Sequence, residues 1–306
     1  MLVKRTVLGA VCLSVAASLW GGMYVVSKYV LDFIPPFTLV WLRYLIAFVV
    51  LYAVLKWTER KSGQNEPLTK KQWLLLAWIG FIGYFVSISL QFIGTKLSNA
   101  HTGSLITSAT PAFIVVFAYF ILKESLTVRK VISTCIATIG VVIVIGFDTS
   151  VSEYTLGAII LVGAAVTWAL LSIYVKVASQ ELSSLAITTY AILFGFLFTT
   201  PAIVFELRQQ PLFYESPLII AGVFYLGIIS TAVAFFLWNK GLELMDAGVG
   251  SLFFFFQPLV GTFLGWLLLD ETLTARFFIG ALFIVCGVVI ATFATEETAE
   301  KRRLSA

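Results

Sequence analysis

Long apolar runs separated by short polar connections dominate the pattern along this chain. They lie near residues 6–27, 37–56, 73–93, 100–122, 130–147, 155–176, 184–205, 217–238, 247–269 and 276–294. A helix needs about 20 apolar residues to cross about 30 Å of hydrocarbon. The runs therefore predict ten transmembrane helices, spans 1 to 10. They are continuously apolar, with no in-out alternation and with lengths beyond the ~9–11 residues of a barrel strand. The expected class is an all-α membrane protein.

The pattern also repeats once. Leu8-Gly9-Ala10, Trp20 and Lys28 recur 148 positions later as Leu156-Gly157-Ala158, Trp168 and Lys176. Ala100, Gly103-Ser104-Leu105, Pro111, Glu124, Leu126-Thr127 and Gly140 recur 147 positions later as Ala247, Gly250-Ser251-Leu252, Pro258, Glu271, Leu273-Thr274 and Gly287. Five spans per copy is an odd number, so the second copy enters the membrane with opposite polarity, the sequence mark of an inverted-repeat transporter with a central cavity between the halves. The expected organisation is a first repeat at residues 1–147, a linker at 148–154, an inverted second repeat at 155–295 and a cytoplasmic tail at 296–306. Lys4 and Arg5 precede an apolar stretch as in a signal peptide, but no small-residue cleavage site follows and the stretch has a counterpart in the second copy. It is expected to be a retained first helix.

Composition agrees with a membrane setting: 60% of residues are hydrophobic and 12% charged, against about 25% charged in soluble domains. Mean hydropathy is +1.00. With the N-terminus inside, the inner segments hold Lys4, Arg5, Lys56, Arg60, Lys61, Lys70, Lys71, Lys123, Arg129, Lys130, Lys176, Lys240, Lys301, Arg302 and Arg303, 15 of the 20 basic residues. Lys28, Lys96, Arg208 and Arg276 fall outside, and Arg43 lies within a span. This bias places both termini in the cytoplasm of a plasma membrane protein. The net charge of +4 then needs no nucleic-acid partner. The polar connection from Lys56 to Gln72 reads as a flexible cytoplasmic loop. Cys12, Cys135 and Cys286 fall inside spans without CxxC spacing, so they read as packing residues.

Several residues are candidates for transport chemistry. Arg43 inside a span costs roughly 2.5–3.5 kcal/mol on insertion scales; either it faces a water-filled cavity and attracts an anionic group, or it snorkels to the outer interface. Trp20 and Trp168, at matching positions, either line the cavity as stacking surfaces or fill helix contacts near Gly21-Gly22 and Gly163. Tyr84, Gln91, Asn239 and Gln257 either orient substrate or tie helices together, as do Ser87, Thr107, Thr110, Tyr225 and Trp238. Pro111 and Pro258 interrupt spans 4 and 9 and favour kinks, either static or used in gating. Gly261 and Gly265 form a GxxxG face for close helix packing. Glu124 and Glu271 read as interfacial carboxylates at span ends, with Thr127 and Thr274 capping the helices that follow. His101 reads as an outer-interface residue beside Asn99.

Missing chemistry narrows the function. All 16 Asp and Glu residues fall in loops, tails or span ends, so no deep carboxylate offers the usual proton or sodium relay. A facilitator, an exchanger or coupling through the substrate's own charge fits at least as well. No GxxxxGK[ST] loop is present, and a single histidine cannot build a usual intramembrane metal centre. No cofactor is expected. A membrane-embedded enzyme would need a convergent acid, base or metal set, and a passive channel a continuous polar stripe.

These residues resemble the EamA family of the drug/metabolite transporter superfamily. "SLWGGMYVVSK" in span 1, "TPAFIVVFAYFILKESLT" over span 4 and "QPLVGTFLGWLLLDETLT" over span 9 carry the likeness, which runs from about Leu8 to Thr295. Its most specific element is a proline followed 13 residues later by glutamate and then Leu-Thr, present twice. The resemblance implies a ten-helix plasma-membrane permease that often exports amino acids or other small metabolites, with a cavity lined by spans 1, 3, 4, 6, 8 and 9. The expected partners are a small-molecule substrate and the bilayer, as a monomer or homodimer. Efflux of amphipathic toxic compounds is the neighbouring alternative.

Overall fold

The computed structural model describes residues 2–63, 67–97, 106–107, 109–145, 155–208, 216–269 and 275–304. Ten longer helical stretches occur among the described residues, and no strand does. They are α1 (Leu2–Leu31), α2 (Pro36–Ser62), α3 (70–97), α4 (Thr110–Leu122), α5 (Val128–Ile145), α6 (Thr155–Ala178), α7 (Ser184–Leu207), α8 (Pro217–Leu244), α9 (247–269) and α10 (Ala275–Leu304). Among the described residues, seven helices, α1 to α3 and α6 to α9, are long and apolar enough to cross a membrane. Shorter apolar helices occupy Thr110–Leu122 and Ala275–Ala291. His101, Glu271 and Thr274 lie outside the described residues, as does the expected start of span 4.

Local chemistry sets the helix ends. Pro36 opens α2, where its missing donor is not needed, and Gly63 closes it at φ 69° with its N–H on Glu59 O. Arg60 and Lys61 in the last turn complement the helix dipole. Thr69 and Gln72 form a reciprocal capping box at the start of α3. Ser183 accepts from Ala186 N at 3.2 Å to start α7. Thr127 accepts from Lys130 N at 3.2 Å at the head of α5. At the other end of the chain, α10 continues to Leu304, through the segment expected as a tail. Residues 296–304 are Glu, Ala, Lys, Arg, Leu and Thr, mostly strong helix formers, so the helix extends past its apolar part.

Among the described residues, three helices contain π turns: Gly80–Ser87 in α3, Ala118–Leu122 in α4 and Ile228–Val233 in α8. Those of α3 and α8 fall at matching places in the sequence repeat, led by Gly80 and by Gly227, 147 positions later. Such turns insert a residue and leave backbone groups to be satisfied from elsewhere.

Close helix packing uses small residues. A Cβ on Gly21 of α1 would lie 2.7 Å from Gln257 O of α9, with Gly261 on the facing side, so half of the GxxxG pair seats α1 on α9. A Cβ on Gly287 of α10 would lie 2.7 Å from Ser133 O of α5. The outer surface is apolar: Leu74, Phe120, Phe205 and Phe278 are all more than 60% exposed. A surface so apolar suits lipid rather than water. Cys12 is buried, whereas Cys135 and Cys286 are exposed, so the packing role expected for all three holds for Cys12 alone.

Candidate functional site

The middle of the molecule holds an aromatic cluster gathered from both halves of the chain. Trp20 of α1 lies 5.8 Å from Trp168 of α6, 5.5 Å from Phe235 and 5.2 Å from Trp238 of α8, and 6.0 Å from Phe254 of α9, ring centre to ring centre. Tyr84 of α3 joins through Phe235 at 4.9 Å, and Tyr44 of α2 through Tyr84 at 6.1 Å. Edge-on and tilted pairings of this kind are favoured by the ring quadrupoles. Trp20, Tyr44, Tyr84, Phe235 and Trp238 are buried.

Polar groups thread through this cluster along α8. The Trp20 indole N–H donates to Ser230 O at 3.0 Å, and the Tyr44 hydroxyl donates to Tyr84 O at 2.8 Å. Both acceptors are carbonyls inside π turns. Arg43 turns into the bundle: its Nε donates to Thr231 Oγ1 at 3.0 Å, and one Nη donates to Ser230 Oγ at 3.4 Å and to Met23 Sδ at 3.2 Å. The Ser230 and Thr231 hydroxyls in turn donate to Leu226 O at 3.1 and 2.7 Å. The guanidinium is thus held by side chains that are themselves anchored to backbone. These bonds offset part of the cost of placing a charge within a span.

Asn239, one turn beyond Phe235 on α8, donates through Nδ2 to Thr188 Oγ1 of α7 at 2.9 Å. The buried polar atoms Trp168 Nε1, Trp238 Nε1 and Asn239 Oδ1 have no hydrogen-bond partner among the described residues. Each such atom costs about 1–3 kcal/mol. Two indole donors and one amide acceptor therefore stand open in one region, together with a guanidinium and with no carboxylate among the residues named.

The structure brings Trp20, Arg43, Tyr84, Trp168 and Asn239 into this cluster. Gln257 adjoins it, its backbone carbonyl packed over Gly21 beside Trp20. Gln91 does not join: among the described residues no hydrogen bond or ring contact links it to the others, because it lies two turns beyond Tyr84 on α3. Pro111 and Pro258 sit where the helical backbone begins or changes type. Pro111 occupies the first turn of the α-helical part of α4, where a proline fits without loss, and Pro258 the first α turn after the 3-10 stretch Ser251–Phe255.

Further participants not singled out from sequence include Tyr44, Phe235, Phe254, Thr188, Ser230 and Thr231. The adjacent Ser230-Thr231 pair within an apolar span was a signal for the last two. Glu124 also differs from its expected bland role. Its carboxylate accepts from Ala247 N at 2.6 Å and Gly248 N at 3.1 Å, capping α9 across 123 positions of chain.

Comparison with known proteins places this arrangement. A model of the EamA-like transporter family matches residues 7–146 and again residues 155–293. YetK, an uncharacterized transporter of Bacillus subtilis (strain 168), is 30% identical over 296 residues, covering 95% of this chain and 88% of that protein. YoaV, an uncharacterized transporter of the same organism, is 24% identical over 280 residues, covering 90% and 93%. A crystal structure of 22% sequence identity shares the fold with a TM-score of 0.79 over 99% of both chains. A family match along both halves, and a relative of this identity along nearly the whole length, establish that the chain is a multi-pass membrane protein belonging to the EamA-like transporter family.

Proposed function

We propose that this protein is a secondary transporter that moves small metabolites by alternating access, exporting amino acids or related compounds across the plasma membrane. The observation that carries the reading is the set of open polar atoms on Trp168, Trp238 and Asn239 beside Arg43. A bound solute with acceptor and donor groups would satisfy them, and the rings of Trp20 and Tyr84 would pack on its apolar part. Arg43 would attract an anionic group, and Asn239 and Gln257 would orient polar ones. The junctions at Pro111 and Pro258 would serve as flexing points of α4 and α9.

We propose the ten-span, inverted-repeat threading with both termini cytoplasmic. Bonds between helix ends support it. Gln72 donates to Glu181 at 3.2 Å, Ser184 to Glu243 at 2.5 Å, and Lys176 to Leu242 O at 2.7 Å, all linking ends that this threading puts inside. Phe37 N and Thr38 N donate to Glu206 at 3.1 and 2.6 Å, linking ends that it puts outside. Reporter fusions at Gln64 and Gln209 should report opposite sides; a shared side would overturn the threading.

The aromatic richness of the cluster favours one alternative, efflux of amphipathic compounds. A flux screen in reconstituted vesicles, with and without a proton gradient, separates the two readings. Amino-acid flux should fall at least about tenfold in Trp168→Ala and in Arg43→Gln, a loss of roughly 1.4 kcal/mol of binding. Flux of amphipathic cations alone, indifferent to Arg43→Gln, would favour the alternative, and unchanged flux in both variants would remove the site.

A further inference from the structure

The ends of α4, α6 and α8 meet in a charged knot that the transport site does not use. Lys130, near the start of α5, is 6% exposed, and its Nζ lies 3.2 Å from Glu124 Oε2 and 3.3 Å from Asp246 Oδ2. The same Glu124 carboxylate holds the first amides of α9, Ala247 N and Gly248 N. Lys176 Nζ donates to Leu242 O, Glu243 O and Met245 O at 2.7, 3.1 and 2.7 Å, gripping the last carbonyls of α8. The α8–α9 corner is therefore clasped from two directions. One clasp, Lys130 with Glu124, comes from the other sequence copy.

The repeat shows what the opposite corner lacks. At the matching positions 147 residues away, Glu271 stands for Glu124, but Phe277 replaces Lys130 and Asn99 replaces Asp246. The second corner keeps one acid of the trio and has neither of the other two charges. Separating Lys130 from both carboxylates requires hydrating charges that are now mutually satisfied, whereas the matching trio in the sequence retains a single charged member, Glu271. Alternating access needs each corner to open in turn, so an added attraction at one of them biases the resting population.

We propose that Lys130, with Glu124 and Asp246, is a latch that keeps the α8–α9 corner closed, so that the resting transporter is shut at the end assigned above to the cytoplasm. The inference rests on the alternating-access reading. Val115 supplies a reporter: it is buried, and its Cγ2 lies 3.5 Å from where a Cβ on Gly248 would sit, directly beneath the latch. A Val115→Cys chain in which Cys12, Cys135 and Cys286 are replaced by serine can be labelled with a membrane-impermeant maleimide applied to the proposed cytoplasmic face of oriented vesicles. Adding Lys130→Met should speed labelling about tenfold, whereas Lys130→Arg, which keeps a cation between the two carboxylates, should stay near the parent rate. Equal rates in parent and Lys130→Met, or Lys130→Arg as fast as Lys130→Met, would overturn the latch. If Lys130→Met does not reach the membrane, Asp246→Asn takes its place: labelling faster than the parent supports the latch and an equal rate refutes it. Labelling reads corner opening whether or not cargo crosses, so a failed latch and a failed transport reading are distinguishable by running the flux screen on the same vesicles.

Discussion

One chemical change made at two neighbouring rings should have opposite effects on stability. Trp20 and Trp238 are both buried, their rings 5.2 Å apart in the same cluster. Replacing either with phenylalanine contracts the ring and leaves a small void, costing on the order of 1 kcal/mol at each site. The indole N–H groups differ. That of Trp238 has no partner among the described residues, so its removal returns about 1–3 kcal/mol, and Trp238→Phe should be neutral or stabilising by up to about 2 kcal/mol. That of Trp20 satisfies Ser230 O at 3.0 Å, a carbonyl within a π turn. Trp20→Phe leaves that acceptor buried and unpaired, adding about 1–3 kcal/mol to the void and making the variant less stable by about 2–4 kcal/mol. The variants should therefore differ by at least about 2 kcal/mol, which is roughly 4–8 °C in Tm at 2–4 °C per kcal/mol. Thermal unfolding of detergent-purified protein, followed by tryptophan emission or by loss of the monodisperse elution peak, measures this. Equal destabilisation of both variants would refute the hydrogen-bond accounting and leave ring volume as the sole determinant. If the open Trp238 donor is kept for solute, Trp238→Phe should also lose transport while gaining stability, the trade expected of a functional site.

Other substitutions test the remaining contacts. Glu206→Ala removes an acceptor of three donors, Phe37 N, Thr38 N and Thr38 Oγ1, at the head of α2. It should cost about 1–2 kcal/mol, with Glu206→Gln recovering part of it on the same melts. Lys176→Met strips three carbonyls at the end of α8 of their donor and should destabilise by about 2 kcal/mol or more, whereas Lys176→Arg should retain most of the stability. Gly287→Leu forces side-chain atoms against the Ser133 backbone and should part α5 from α10 at a cost of about 1–3 kcal/mol or more, seen as lower yield and lower Tm. Gly63→Ala, at φ 69° with open space around it, should cost only about 1 kcal/mol, because the strain is confined to one left-handed residue.

The long-range pattern was legible because lipid leaves few alternatives. A run of about 20 apolar residues must be helical to satisfy its backbone. The meeting of Trp20 with Trp168 was foreshadowed by their matching places in the repeat, since related copies set side by side bring equivalent positions together. The sequence showed that Arg43 needed an offset within its span, but not that the Ser230 and Thr231 hydroxyls supply it. Tyr44, Glu206 and Lys130 were silent for a similar reason: each acts on a group more than 35 positions away, or on the end of another helix, and local patterning carries no trace of such a partner. The backbone change beside Pro111 and Pro258 was not legible, because apolar runs hide the change from 3-10 or turn to α backbone. The π turns were hidden as well, since inserting one residue into an all-apolar helix breaks no visible periodicity.

Those π turns bear on how binding would reach the rest of the bundle. A π turn leaves carbonyls that the helix itself does not satisfy. In α3 the carbonyl of Tyr84 is taken by the Tyr44 hydroxyl, and in α8 that of Ser230 is taken by the Trp20 indole, so each defect is held by an aromatic side chain of the cluster. The half of α8 that follows the π turn carries Phe235, Trp238 and Asn239. A solute that captured the Trp20 N–H would release Ser230 O, and the turn would gain by returning to α register, which would rotate those three side chains relative to the first half of the helix. Trp20→Phe imitates that release without any solute. Amide hydrogen exchange across residues 228–234 should accordingly be faster in Trp20→Phe than in the parent chain, and unchanged in Trp238→Phe. Identical protection in all three would mean that the indole bond does not hold the π turn, and the coupling between ring cluster and helix would fail with it.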